Sequence, residues 1–343
     1  MNTIPNLLKR MTGSKLFWPF VALALLLLIN LFYRPSFFAI EIKDGHLFGS
    51  LIDILNRGAP LMLLSIGLTL ALATGGTDLS VGPVIAITGA VAAALIGSEI
   101  NATHTPFILV ILLSLGVAIL GGLWNGLLIS RAGVQPIIAT LILMVTGRGI
   151  AQMITAGQIL NVYYKPFDFI GGGFLFGLPF PLYIVALMML FVWFLTRRTA
   201  VGLFIESIGV NASSSYYSGI NEKNVKLLVY TLSGLCAGIA GLIVASNIRS
   251  ADANNAGLFF EMDAILAVVI GGTSMTGGRF SLVGSLLGAL IIQTLTTTIY
   301  SIGIPPEIIS LVKAIVVLVV SLMQSASFRQ IAFARFMKKG AVS

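Results

Sequence analysis

Five polar side chains lie within or at the ends of long apolar stretches, and their chemistry suits a polar route through an apolar medium. They are Asp78, Asn125, Arg148, Gln152 and Lys313. A charge at the centre of a bilayer costs about 2.5–3.5 kcal/mol on insertion scales, so Arg148 and Lys313 must face a protein interior, a wet cavity or backbone carbonyls. The alternative is structural: each cation would be tied to carbonyls or to an acid such as Asp78 or Glu261. The five residues are therefore candidates for a translocation pathway or for polar ties between helices.

The sequence lacks the arrangements that catalysis and metal binding require. His46 and His104 are isolated in predicted loops and Cys236 is the one cysteine, so neither a metal site nor an internal disulfide is expected. The phosphate-binding motif G-x-x-x-x-G-K-[ST] is missing as well. We therefore expect no enzyme: the chain has no catalytic residues, needs no cofactor of its own and must leave ATP hydrolysis to another protein.

The elements that must position these residues are membrane helices. Hydrophobic residues make up 57% of the 343 residues and charged residues only 9%, too few to cover a water-facing surface of this size. A bilayer crossing takes about 20 apolar residues. Ten stretches qualify: 16–33, 51–73, 81–98, 106–130, 134–160, 177–197, 226–248, 262–275, 280–300 and 304–324. The eighth is short and glycine-rich at its end, so a broken or re-entrant helix there would make the count nine to eleven. The predicted fold is an all-α, polytopic bundle.

The distribution of lysine and arginine predicts the orientation of the chain. With a cytoplasmic N-terminus and ten alternating spans, thirteen of the 20 cations fall on the cytoplasmic side, four fall outside and three lie within spans. Cytoplasmic loops carry such an excess of positive charge, so we expect both termini to be cytoplasmic. The predicted organisation is a cytoplasmic segment 1–15, a transmembrane domain 16–324 in the lipid bilayer and a cytoplasmic tail 325–343. The net charge of +8 is thus a topology signal and does not indicate nucleic acid.

The longest polar stretch on the predicted cytoplasmic side is 199–224. A short helix fits its centre, from Ala212 to Ser218, with Asn211 as its N-cap and Gly219 as a left-handed stop. Gly209 would supply a turn before this helix. A helix of about two turns does not fold alone in water, so its stability would come from a partner protein. We expect this loop to be an interaction site; the alternative is a solvated connector.

Five groups of motifs follow one another over residues 50–325. They are Thr74–Gly82 (TGGTDLSVG), Asn125–Leu141 (NGLLI followed by GVQPIIATL), Arg148–Gly149, Gly202–Lys226 (with IGVN and SGI), and Gly271–Gly278 (GGTSMTGG). In this order and at these topological places they resemble the permeases of the ribose/xylose/galactoside class of ABC importers. One departure is Ser214-Ser215, which stands where that class has an A-A pair and suggests an ATPase adapted to this permease.

The resemblance implies a set of partners. These are ABC ATPase subunits that bind the ATP, a periplasmic sugar-binding protein, and a second permease subunit, identical or different, at a bacterial inner membrane. The resemblance places the ATPase contact at Gly202, Glu206, Gly209, Asn211, Ser214, Ser215, Ser218 and Gly219. The implied function is ATP-driven import of a monosaccharide. The alternative is a secondary transporter or channel for a small polar solute, without an ATPase.

Overall fold

The computed structural model describes residues 16–33, 35–43, 45–100, 105–303, 305, 308, 311–315, 318 and 322. The predicted terminal segments 1–15 (cytoplasmic) and 325–343 (tail), and most of the tenth predicted span, lie outside the described residues. Within the described residues the chain is mainly helical, as the all-α prediction requires. Three antiparallel pairs of very short strands occur there, all at connections between helices.

The helices are numbered in chain order. They are α1 (Phe17–Tyr33), α2 (Ser50–Ala73), α3 (Val81–Ile96), α4 (Phe107–Ser130), α5 (Pro136–Ile154), α6 (Lys165–Gly172), α7 (Phe180–Arg198), α8 (Val201–Val210), α9 (Ala212–Tyr217), α10 (Glu222–Ile248), α11 (Phe260–Ile270) and α12 (Leu282–Ile302). A 3-10 turn covers Pro35–Phe38, and the strands are β1 (Glu41–Lys43), β2 (His46–Phe48), β3 (Leu160–Asn161), β4 (Phe174–Leu175), β5 (Leu178–Pro179) and β6 (Ser250–Ala251).

Six of the described helices, α2, α4, α5, α7, α10 and α12, are long and apolar enough to cross a membrane, and α1 and α3 are shorter apolar helices. Most predicted spans agree with helices to within a few residues. The fifth does not: it was predicted to reach residue 160, but α5 ends at Ile154, and Ala156 and Gly157 take left-handed conformations with φ of 50° and 72°. The eighth is short, as expected, because α11 has only 11 residues. The count of ten spans and the cytoplasmic termini stay predictions.

The helices divide into a central and a peripheral set. Buried residues make up 83% of the most apolar stretch of α2 and 67% of that of α10, against 22% for α4 and 28% for α5 and α7. The outer helices expose large apolar side chains, among them Leu112, Val145 and Leu187. A water-facing helix would carry polar residues on that face, so this pattern is typical of helices that face lipid.

Helices α4 and α10 cross at two glycines. A Cβ built on Gly234 would lie 2.6 Å from the carbonyl oxygen of Ala118 and 2.8 Å from the Cα of Gly122. A Cβ on Gly122 would lie 3.0 Å from the Cα of Gly234. The two backbones therefore touch directly, as small residues allow in membrane bundles.

The connections gather at two ends of the bundle. One end, here called the basic end, holds the connections 131–135, 199–221 and 271–281, and its described cations are Arg131, Arg197, Arg198, Lys223, Lys226 and Arg279. The far end holds the three strand pairs, in which β1 pairs with β2, β3 with β6 and β4 with β5. This separation agrees with the alternation of helices assumed in the charge-based prediction.

Candidate translocation and coupling site

The connection between α2 and α3, residues 74–80, is not helical and is largely buried. Its Gly76 packs against the Tyr230 hydroxyl of α10 and Pro136 of α5. The Tyr230 hydroxyl donates a hydrogen bond to the carbonyl oxygen of Thr77 at 3.3 Å. Non-helical backbone inside a membrane bundle is tolerated where protein or a wet cavity satisfies it. The sequence analysis placed this segment in a connection at a span end; the structure places it in the core.

Three of the five candidate pathway residues are charged, and Asp78 is the most buried of these three. Only 1% of its surface is exposed. Ser80 donates to its Oδ1 through the backbone N–H at 3.0 Å and through the hydroxyl at 2.6 Å, and Ser233 of α10 donates to its Oδ2 at 2.7 Å. Asn125 of α4 donates to the Ser80 hydroxyl at 2.8 Å. Asp78 is therefore bound by hydroxyl and amide donors, and the sequence-based suggestion that it neutralises a buried cation is wrong.

Arg148 and Gln152 hold the connection between β6 and α11. Nη1 of Arg148 donates to the carbonyl oxygens of Ala253 and Ala256 at 3.0 and 2.7 Å. Gln152 donates to the side-chain oxygen of Asn254 at 2.7 Å. Arg148 thus binds backbone carbonyls, as expected if its role is structural.

This connection also carries an acid, Asp252, whose pKa responds to the Arg148 charge. Partial burial raises the pKa of the Asp252 carboxyl, but hydrogen bonds from Asn255 and Asn254 and the Arg148 charge outweigh it and leave that pKa below its ordinary value. Asp252 is therefore ionised at neutral pH. The connection between β6 and α11 thus offers Arg148 both carbonyl acceptors and a negative field.

Lys313 pairs with an acid that the sequence analysis did not suggest as its partner. Its Nζ lies 2.6 Å from Oδ2 of Asp263 on α11, and the two side chains are only 15% and 17% exposed. The five candidate pathway residues thus fall into three groups. Asp78 and Asn125 share one cluster, Arg148 and Gln152 share a second, and Lys313 belongs to a third.

The segment 199–224, here called the coupling loop because the resemblance places the ATPase contact in it, is largely helical. Helix α8 and helix α9 lie within it, and α10 begins at Glu222, inside the predicted range. The side chain of Asn211 accepts a hydrogen bond from the backbone N–H of Ser214 at 2.9 Å, so its predicted role as N-cap is confirmed. Gly219 has φ of 82° and donates to the carbonyl of Tyr216, as a left-handed stop does. Helix α9 ends at Tyr217, one residue before the predicted end.

An open pocket of about 440 Å³ lies between α8, α9 and the connection after α11. Its lining includes Glu206, Asn211, Ser214, Ser215 and Ser218, all of them predicted coupling residues. The remaining lining residues are Leu203, Ser207, Val210, Ile220 and Gly278. A lining that mixes apolar side chains with hydroxyl, amide and carboxylate groups suits a polypeptide segment of a partner.

Gly209 does not supply the predicted turn, because it lies inside α8. A Cβ at this position would overlap the carbonyl oxygen of Ala73 and the backbone nitrogen of Gly278. Glycine is needed here for close approach. We call Ala73, Gly209 and Gly278 the glycine junction. Gly202 has a similar role at the other end of α8, where a Cβ would overlap the carbonyl oxygen of Thr196.

Sequence reasoning missed the residues that complete these clusters. Ser80, Ser233 and Tyr230 surround Asp78, and Asp263 holds Lys313. Ser80 stands two residues after Asp78 in the first motif, which is a spacing at which a side chain caps its neighbour, so a local signal existed. Ser233 and Asp263 carry no such signal, because they are distant along the chain from the residues they bind.

Comparison with known proteins assigns the family. Residues 50–321 match the family described as "Branched-chain amino acid transport system / permease component". The chain belongs to this family and is a permease component with several membrane spans. The resemblance inferred from the five groups of motifs is confirmed. No solved structure matches the chain.

Three curated relatives are named as sugar permeases. The chain is 52% identical to the galactofuranose transporter permease protein of Escherichia coli, over 91% of this chain and 91% of that protein. It is 39% identical to the fructose import permease protein of Bifidobacterium longum, over 93% and 90% of the two chains. It is 36% identical to the ribose import permease protein of Escherichia coli, over 89% and 92%. The family's description mentions amino acids, whereas these nearer relatives are named for sugars.

Proposed function

We propose that this chain is the membrane-spanning subunit of an ATP-driven, binding-protein-dependent sugar importer of the bacterial inner membrane, and that galactofuranose is its substrate. The observation that carries the proposal is the 52% identity, over 91% of the chain, to a galactofuranose transporter permease. Relatives named for fructose and ribose stand at 39% and 36%. A sugar transporter is therefore favoured over an amino acid transporter.

The partners follow from the proposed class. A separate ATPase binds the ATP, a soluble sugar-binding protein delivers the sugar, and a second permease subunit completes the route. The pocket lined by Glu206, Asn211 and Ser214 is the proposed seat for the ATPase, because it is open and is built from the short helices α8 and α9. A partner segment there would supply the stability that α9, at six residues, cannot supply by itself.

The glycine junction gives the coupling a physical route. ATP-driven movement of the ATPase would displace α8 and α9. Gly209 packs directly on Ala73 and Gly278, so the displacement would pass to the buried segment 74–80 and to the connection 271–281. Asp78 in the first of these segments is bound to α10 through Ser233, which extends the route into the centre of the bundle.

The decisive experiment is transport in proteoliposomes. The chain would be reconstituted with its ATPase and binding protein and tested with a panel of radiolabelled sugars. We expect ATP-dependent uptake of galactofuranose in preference to ribose, fructose and galactopyranose. Uptake of ribose or fructose alone would overturn the proposal that galactofuranose is the substrate. Uptake driven by an ion gradient without any ATPase would favour a secondary transporter and overturn the class.

We propose further that ten spans cross the membrane and that both termini and the 199–224 segment are cytoplasmic. The exposed Ser214 is suited to labelling. A single cysteine at position 214, in a background with Cys236→Ser, should resist an impermeant thiol reagent in intact cells and react after permeabilisation. Rapid labelling in intact cells would reverse the proposed orientation.

A further inference from the structure

A second pocket at the basic end is separate from the one formed by α8 and α9. It has a volume of about 320 Å³ and lies between the end of α4 and the starts of α5 and α10. Its walls include Ser130, Gln135, Pro136, Glu222, Lys223 and Lys226. None of the residues that line the pocket between α8 and α9 lines this one.

The charges around this pocket favour an anion. Lys226 forms an ion pair with Glu222, and the exposed Lys223 adds a second cation to the wall. Arg131 follows α4 directly, and its guanidinium donates to the side-chain oxygen of Asn224 at 3.1 Å, which holds it beside the start of α10. Two cations and one acid line the pocket, and Arg131 adds a third cation beside it. The starts of α5 and α10 both face the pocket, and the positive ends of their dipoles add to the attraction.

A buried hydroxyl in the wall lacks a partner. Ser130 is 7% exposed, and its Oγ makes no hydrogen bond to any described part of the protein. A buried hydroxyl without a partner costs about 1–3 kcal/mol. An anion with several oxygens, seated between Ser130 and Lys223, would accept this hydrogen bond and neutralise the cations.

The surroundings of the pocket indicate where the anion comes from. On α5, Ile137 and Ile138 directly follow the wall residue Pro136 and are 45% and 51% exposed. On α4, Trp124 lies six residues before Ser130 and is 53% exposed. Exposed aliphatic side chains suit acyl chains, and tryptophan is enriched at the level of the lipid headgroups. A polar, cationic pocket directly beside such a surface has the chemistry of a phospholipid site.

We propose that this pocket binds the phosphate of an anionic phospholipid, whose acyl chains lie along the exposed apolar side chains of α4 and α5. The lipid would join the end of α4 and the starts of α5 and α10, three elements that the loop 131–135 and the Arg131–Asn224 bond otherwise connect. The proposal needs only that the chain spans a membrane. It holds whichever sugar is carried.

Native mass spectrometry and thermal unfolding of the full chain in a neutral detergent test the proposal. The probes are phosphatidylglycerol, phosphatidylcholine and inorganic phosphate. We expect phosphatidylglycerol to remain bound and to raise the melting temperature, and the other two to do neither. Arg131→Gln and Lys223→Gln should each weaken phosphatidylglycerol binding about fivefold, the effect of one cation near a charged lipid surface. Arg198→Gln removes a cation at the same end, but from α7, which contributes no residue to the pocket, and should leave binding unchanged.

Ser130→Ala supplies a second variant that does not alter the charge. It should also weaken phosphatidylglycerol binding, with the fold intact. Equal binding of phosphatidylcholine and phosphatidylglycerol would overturn the proposal. So would equal stabilisation by inorganic phosphate, which would indicate a free-anion site, or equal weakening by Arg198→Gln, which would indicate attraction by the whole basic end.

Discussion

Gly278 donates its backbone N–H to the carbonyl oxygen of Ala73 at 2.9 Å, and this bond joins the end of α2 to the connection between α11 and α12. Gly209 of α8 packs on both partners so closely that any side chain would overlap them. Three segments distant in the sequence thus meet backbone to backbone. Because no side chain separates them, a displacement of α8 would press directly on both partners.

The first prediction concerns this junction. Gly209→Ala should lower the melting temperature and the transport rate, because overpacking of a tight contact typically costs about 1–3 kcal/mol. Gly149→Ala is the matched control, since a Cβ there meets no atom within 4 Å. Thermal unfolding and ATP-dependent uptake are the measurements. A Gly209→Ala variant with the stability and uptake of the unmodified protein would show that the junction is looser than its geometry indicates.

Gly219 lies between Ser218 and Ile220, two residues that line the proposed ATPase seat. A Cβ at this position meets no atom within 4 Å, so a large side chain would project outward. We expect Gly219→Trp to insert normally but to lose ATPase activity stimulated by the binding protein. Gly219→Ala shares the strain of the left-handed backbone without the bulk and should keep most of that activity. Equal loss of stimulated ATPase activity in both variants would show that backbone strain causes the effect, and that the bulk of the tryptophan does not block a contact with the ATPase.

Arg148 is predicted to order the connection between β6 and α11. Removing it leaves the carbonyls of Ala253 and Ala256 without their described donor. Arg148→Ala should therefore speed amide hydrogen exchange over 252–259 and reduce uptake more than it reduces the amount of protein in the membrane. Gln152→Ala, which removes one contact with the same connection, should have a smaller effect. If amide hydrogen exchange over 252–259 were unchanged in Arg148→Ala, the bonds of Arg148 to Ala253 and Ala256 would not order this connection.

The Lys313–Asp263 ion pair should contribute more to the free energy of unfolding than an exposed ion pair does. Replacing a single partner leaves an uncompensated charge, which costs about 3–5 kcal/mol when the pair is fully buried, and somewhat less at the 15% and 17% exposure found here. Lys313→Met and Asp263→Asn should each destabilise the protein, and the double variant should recover part of the loss. The same thermal-unfolding cycle on Arg249 and Asp168, where Arg249 is 68% exposed, should give a coupling of about 0–1 kcal/mol. Similar coupling free energies in the two cycles would show that burial does not strengthen the Lys313–Asp263 pair.

Features set by local chemistry could be predicted from the sequence. Asn211 and Gly219 bound α9 as expected, because capping and left-handed termination depend on a few neighbouring residues. The long apolar helices could be predicted for the same reason, since composition over about 20 residues decides them. The left-handed Ala156 and Gly157 end α5 earlier than its apolar composition indicated.

Features set by tertiary contact could not be predicted. Gly209 was assigned to a turn because glycine is common in turns. The structure instead requires glycine there because Ala73 and Gly278, more than 60 residues away in the sequence, leave no room for a side chain. Asp78 was considered a counter-ion because charges usually pair, but Ser80 and Ser233 satisfy it. Periodicity along one helix carries no information about which polar group another helix presents.

The crossing of α4 and α10 at Gly122 and Gly234 has a mechanical consequence. Helix α10 has 27 residues and Gly234 is near its middle; at about 1.5 Å per residue it is about 40 Å long, the thickness of a bilayer with its headgroups. A stiff rod held at its midpoint turns as a lever about a pivot, so its two ends swing in opposite directions. A tilt that narrows the bundle around Asn221 would therefore widen it around Ile248, so one rotation would act on both ends of the bundle at once.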